Sequence, residues 1–164
     1  MTIFVKNKHT LELDDFKFRC CVGKKGTTTK KKEGDKKTPR GTFEIENLYY
    51  RKDRKVRPST SLKCIEIKND MGWCNDVNYP NKYNKLFKIK KKIKHEKLKR
   101  KDYKFDFVIP IKYNFKKPIT GKGSCIFIHL TKNYKATAGC VALKEKDFLI
   151  MIKLIKKNSK IKIF

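Results

Sequence analysis

Apolar residues come in short runs throughout this chain: TFEI at 42–45, FDFVIPI at 105–111 and SCIFIHL at 124–130, with FLIMI at 148–152 the longest uninterrupted stretch. Runs of this length, bounded by Gly, Pro, Asn and Lys, fit strands better than amphipathic helices. They also fall far short of the ~20 apolar residues that a bilayer-crossing helix needs. The expected architecture is mostly β. Its 164 residues suffice for a single domain, 1–164, with a core that requires no metal or disulfide staple.

Along the chain, TIFVK and TLEL flank NKH as a hairpin, and FKFRCCVG follows as a strand ending at Gly23. Residues 23–41 are rich in Gly, Thr and Lys, end in a Thr-Pro-Arg-Gly turn, and lack the order and spacing of a phosphate-binding P-loop. CIEIKND at 64–70 alternates as a half-buried strand, whereas MGWCNDVNYPNKYNKLF at 71–87 reads as aromatic, Asn-rich loop. The segment KIKKKIKHEKLKRK at 88–101 is either a basic helix or a lysine-coated loop and helix. KFDFVIPIKYN, SCIFIHL and GCVAL supply further strands. A helix is expected at about 145–157, with Phe148, Leu149, Ile152 and Ile155 on one face, and KIKIF closes the chain as a strand.

Lys and Arg number 44 against 16 Asp and Glu, a formal net charge of +28. Such a field draws polyanions. Arginine, the residue that reads and stacks on bases, is limited to Arg19, Arg40, Arg51, Arg54, Arg57 and Arg100. The lysine excess, beside many Asn and Ile, reads first as a solvated, compositionally biased surface. It reads second as a match for an acidic polymer such as cell-wall peptide, and last as a nucleic-acid interface. No specific nucleic-acid partner and no membrane span are expected, and MTIFVKNKHTLEL shows no secretory leader.

The 6 cysteines follow no framework spacing, and neighbours Cys20 and Cys21 would face opposite sides of a strand. There is no C-x-x-C and the 3 histidines are scattered, so no metal site is expected. One stretch does carry chemistry: IFIHLTKNYKATAGCVAL at 126–143. It puts His129 at the end of an apolar run and Cys140 behind Gly139, a loop later. A cysteine attacks as thiolate, histidine is the natural base, and a glycine lets the backbone turn sharply and present amides to an oxyanion. A core histidine beside a small buried cysteine fits the same spacing.

The segment from Ile128-His129 through Thr137-Ala138-Gly139-Cys140-Val141-Ala142-Leu143 resembles the active-site signature of the L,D-transpeptidase (YkuD) family. There, a histidine on a strand precedes a Ser/Thr-x-Gly-Cys segment. GKKGTTTKKKEGDKKTPRGTFEI, GWCNDVNYPNKYNKLF, HEKL and GKGSCIFIHL are similar to segments of the subgroup that lacks the second motif histidine. The resemblance implies a YkuD-like β-sandwich with one or two helices, one of them after the cysteine. It implies no cofactor, and a place in the periplasm or cell envelope.

By the same resemblance Cys140 is the nucleophile that forms a thioester, and His129 is its base. Gly139 and the Cys140 N–H form the oxyanion hole, and Thr137 orients His129. The partner is a peptidoglycan stem tetrapeptide, cut after the diamino acid at its third position, and the outcome is a cross-link or a trimmed terminal D-residue. The best-known members carry His before Gly-Cys and a cationic or amide residue two places after it, where this chain has Ala138 and Ala142. Substrate carboxylates must then be held elsewhere, and Lys36, within GTTTKKKEGDKK, is a candidate. Trp73 is a candidate for the cleft wall, Asp76 for a turn residue or a catalytic acid, and His95 for an exposed or capping position. With a base partner and an open face, Cys140 should be the first thiol to alkylate. Two rivals share the sequence: a catalytically silent peptidoglycan-binding envelope protein and a basic RNA-binding protein.

Overall fold

Residues 1–164 are described by a computed structural model. The chain opens with β1 (Thr2–Lys6), β2 (Thr10–Leu13) and β3 (Phe16–Cys21), then runs through β4 (Thr27–Thr28), β5 (Thr38–Pro39), β6 (Gly41–Glu44) and β7 (Leu48–Tyr50). Next come β8 (Cys64–Glu66), β9 (Met71–Cys74), β10 (Leu86–Lys88), β11 (His95–Lys97) and β12 (Phe107–Pro110). The last elements are β13 (Phe127–Leu130), β14 (Val141–Leu143), the helix α1 (Glu145–Leu154) and β15 (Lys160–Ile163).

Ten strands form one sheet in the order β6-β15-β1-β2-β3-β14-β13-β12-β7-β8. The NKH turn closes β1 onto β2 because Asn7 and Lys8 both take left-handed backbone, φ 50° and 61°. The sheet curls back on itself: Ile45, just after edge strand β6, bridges Ile111 beyond β12, and Lys112 N–H donates to Glu44 O at 2.8 Å. Inside the curl lies a cluster of 25 buried residues that takes Phe148, Met151 and Ile152 from α1. The mostly-β sandwich with a helix after the cysteine is thus the observed architecture.

The helix is shorter than its apolar spacing suggests. It ends at Leu154, and Ile155 is extended (φ −68°, ψ 150°) yet fully buried, so its side chain reaches the core from non-helical backbone. Two other expectations are corrected. Residues 71–87, read as loop, contain β9 and β10, and residues 88–101 hold β11 and no helix; these strands pair as a second sheet, β10-β9-β11. Lysine at nearly every other position masks the strand alternation there, and packing against the main sheet decides the outcome. Trp73 and Leu98 join Tyr49, Ile67, Phe105, Val108 and Phe127 in a cluster of 7 buried residues on the outer face of the main sheet. No helix is long and apolar enough to cross a membrane.

Candidate active site

Alternation along two adjacent strands sets the site. In β13, Ile128 and Leu130 belong to the inner core, which sends Phe127 and His129 to the opposite face; in β14, Val141 and Leu143 point inward, which sends Cys140 and Ala142 outward. The strands are parallel, with Ile128 beside Val141 and His129 beside Ala142. Cys140 therefore falls beside Phe127, whose N–H donates to the sulfur at 3.4 Å, and lies diagonal to His129 on the same face. Both residues line one cleft of about 580 Å³.

The two groups rest as neutral species. His129 is 7% exposed, and burial lowers its pKa from 6.5 to about 4, with Lys104 and Arg100 adding to the effect. Its Nδ1 is 2.9 Å from Leu130 O, so Nδ1 carries the proton and Nε2 is the basic nitrogen. Cys140 is half-buried, but its sulfur sits against the aromatic cluster, and desolvation pushes the thiol up to about 12. The S–H donates to Cys125 O at 3.2 Å. An open-faced, activated thiolate, as the sequence suggests, is not the resting form.

The cysteine turn is built by Thr137. Its hydroxyl donates to Cys140 O at 2.6 Å and accepts from Gly139 N–H at 3.1 Å. The hydroxyl is spent on this turn and does not reach His129, which corrects the expected orienting contact. Gly139 N–H is likewise engaged, whereas Cys140 N–H has no partner within the protein. Gly139 has φ +142°, and a Cβ there would stand 2.9 Å from Lys37 O. A Cβ on Gly23 would meet Lys36 O at 2.5 Å. These two glycines let the lobe between β4 and β5 dock its backbone against the cysteine turn.

That docking brings Lys36 to the cleft wall, together with Lys31 and Glu33. Trp73 and Asp76 are not on that wall. Trp73 is packed beneath it, edge-on to Phe127 at 5.3 Å, with its indole N–H given to Asn84 Oδ1 at 2.9 Å. Asp76 is a turn residue whose carboxylate accepts from Asn78 N–H and Lys94 N–H at 3.0 Å each. His95, expected at an exposed or capping position, is instead half-buried in β11, its ring edge-on to Phe87 at 5.7 Å and its Nδ1 2.6 Å from Ile93 O.

Sequence reasoning missed Asn84, which is 4% exposed and makes four hydrogen bonds: it accepts from Trp73 and Cys125 N–H, and donates to Tyr113 O and Asn114 O. It also missed Glu33, which lies in a segment matched to the family only as a whole, and Arg100, whose guanidinium lies 5.1 Å over Phe105 and pairs with Glu96 and Asp102. Nothing local in the sequence distinguishes these from neighbouring polar residues; contacts distant along the chain define them.

A family model for YkuD, the L,D-transpeptidase catalytic domain, matches residues 1–163. No curated protein and no solved structure matches the chain.

Proposed function

This chain belongs to the YkuD family of L,D-transpeptidase catalytic domains, and we propose that it acts on peptidoglycan stem peptides through a thioester on Cys140, in the cell envelope. The observation that carries this reading is the placement of Cys140 and His129 on one face of adjacent parallel strands, opening on one cleft.

On this reading the bound donor peptide presents its scissile carbonyl to Cys140. The thiol leaves Cys125 O, its proton passes to His129 Nε2, and the sulfur bonds to the carbonyl carbon. The Cys140 N–H stabilises the resulting oxyanion; Gly139 N–H, held by Thr137, keeps the turn in place. As the carbonyl re-forms, the C–N bond breaks and His129 Nε2 returns its proton to the departing amine. Water or a second stem's amine then attacks the thioester, with His129 again taking the proton; the C–S bond breaks and His129 Nε2 returns that proton to the Cys140 sulfur. Water yields a trimmed peptide and an amine yields a cross-link.

The high thiol pKa and low imidazole pKa favour this neutral, general-base route over a preformed ion pair. Ala142, fully buried beside His129, offers no grip for a substrate carboxylate. The exposed Lys36, Lys104 and Lys135 on the cleft rim take that role. Incubation with a stem tetrapeptide tests the reading. Release of the terminal D-residue or a cross-linked dimer, lost in Cys140→Ala, supports it; turnover that survives Cys140→Ala refutes it.

A further inference from the structure

We propose that the basic strap between β10 and β11 docks this domain on an anionic lipid bilayer and leaves the cleft open. The path of the chain creates the strap. β10 pairs Leu86 with Trp73 and Lys88 with Met71, so it leaves the second sheet at the Met71 end of β9. β11 enters at the opposite end and on the other flank, with His95 beside Cys74 and Lys97 beside Gly72. Residues 89–94 therefore run from one flank of the sheet to the other, on the face turned away from Trp73 and the main sheet.

Apolar anchors hold the strap down. A Cβ at Gly72 would stand 2.9 Å from Ile89 Cγ1, 3.1 Å from the His95 ring and 3.2 Å from the Phe87 ring, so the missing side chain is what lets these groups close over β9. Ile93 is 4% exposed, and its carbonyl lies 2.6 Å from His95 Nδ1. With both isoleucines turned to the sheet, Lys88, Lys90, Lys91, Lys92, Lys94 and Lys97 are all left exposed. Lys88 has Asp70 at 3.9 Å, and the other five pair with no carboxylate. The nearby acids are committed elsewhere. Asp76 spends its carboxylate on the backbone N–H groups of Asn78 and Lys94, and Glu96, opposite Trp73, turns to the cleft and holds Arg100.

The turn beside the strap adds an apolar element. Lys94 N–H donates to Asp76 Oδ2 at 3.0 Å and Asn75 N–H donates to Lys94 O at 3.3 Å, which ties residues 75–79 to the strap. Val77, 47% exposed, and Tyr79, 37% exposed, sit on that turn. Unpaired lysines that meet lipid phosphates, beside an aliphatic and an aromatic side chain that enter the headgroup layer, match the surface of an anionic bilayer. A nucleic acid is a poorer match. The exposed cations of the strap are all lysines, and the Phe87 ring is packed edge-on to His95 rather than open for base stacking. Because Glu96 leaves β11 on the face opposite His95 and Lys97, docking through the strap keeps the cleft accessible.

A chain of +28 binds any anionic surface to some extent, so the test must separate the strap from the general field. The probes are vesicles of phosphatidylcholine, alone or mixed with an equal amount of phosphatidylglycerol. Co-sedimentation should show the protein held about tenfold or more tightly by the anionic vesicles and released as salt rises. Replacing Lys90, Lys91, Lys92 and Lys94 together by Gln should weaken that binding by about tenfold or more. Replacing Lys153, Lys156, Lys157 and Lys160 by Gln removes the same charge from exposed positions between α1 and β15, and should weaken it by less than about threefold. Val77→Ser should weaken it by about threefold with the salt dependence unchanged. Thioester formation from a soluble stem peptide should be the same in all of these, so a failure of docking leaves the catalytic reading standing. Equal affinity for the two kinds of vesicle, or equal losses in the two lysine variants, overturns the proposal. So does a single-stranded oligonucleotide bound through the strap lysines more tightly than the vesicles, which would make this face a nucleic-acid surface.

Discussion

Cys140 and His129 are each the opposite of what an isolated motif suggests: the thiol is harder to ionise than a free cysteine and the imidazole harder to protonate. At pH 7 a thiol raised to about 12 has at least ~100-fold less thiolate than an unperturbed one. Cys140 should therefore react with iodoacetamide more slowly than the half-exposed Cys64, as read by peptide mapping; faster labelling of Cys140 would contradict the resting state described here. His129 must be neutral to act as base, so thioester formation should stay level from pH 8 to about 5.5 and fall only as pH nears 4. The same shift appears in stability. The unfolded chain takes up the His129 proton near 6.5 and the folded chain only near 4, so the unfolded state binds more protons between those values. Stability should drop as pH falls through that window, by up to roughly 3 kcal/mol. Chemical denaturation of His129→Gln against wild type at pH 4.5 and 7 checks this, because the variant should lose that part of the acid slope.

At the level of elements, the strands that carry the site were legible and the platform beneath them was not. FIHL and VAL are continuous apolar runs, and the NKH turn is a recognisable hairpin, so β13, β14 and the β1–β2 pair follow from local pattern. The second sheet does not, since its strands are as lysine-rich or Asn-rich as loops and exist because Trp73, Leu98 and Phe105 close over Phe127. Asn84 ties that platform to the segment leading into β13 through Cys125 N–H, and no sequence signal marks it. Asn84→Ala leaves the Trp73 and Cys125 donors and the Tyr113 and Asn114 carbonyls unpaired, and should cost about 3 kcal/mol or more in urea denaturation. Thr137 was legible as a motif residue but not in its role. Thr137→Val should cost about 1–2 kcal/mol and slow acylation by loosening the turn, while Thr137→Ser should restore both; a Val variant that acylates at the wild-type rate would place the hydroxyl outside the chemistry.

Over the whole molecule the unresolved quantity in the sequence was charge, because +28 is compatible with a solvated surface, an acidic polymer or nucleic acid. The structure gives that field a local counterpart: Lys36, Lys104 and Lys135 on the rim, and Glu33, Asn75 and Glu96 among the cleft walls. On the proposed function, with only a methyl at Ala142 and no polar group there to orient an acceptor, the rim lysines would gather anionic stems mainly through a field that salt screens. The ratio of cross-linked to trimmed product should fall between 0.01 M and physiological salt, as the Debye length shrinks from about 30 Å to about 8 Å. A ratio that does not move would mean that specific contacts hold the acceptor. The central claim, that Cys140 is the nucleophile and His129 its base, is tested most directly by intact mass after mixing with a stem tetrapeptide. The expected result is one adduct on Cys140, equal to the donor less its terminal D-residue, absent from Cys140→Ala and formed ~100-fold more slowly by His129→Ala. No adduct, or an adduct carried by Cys64 or Cys125 in its place, would contradict it.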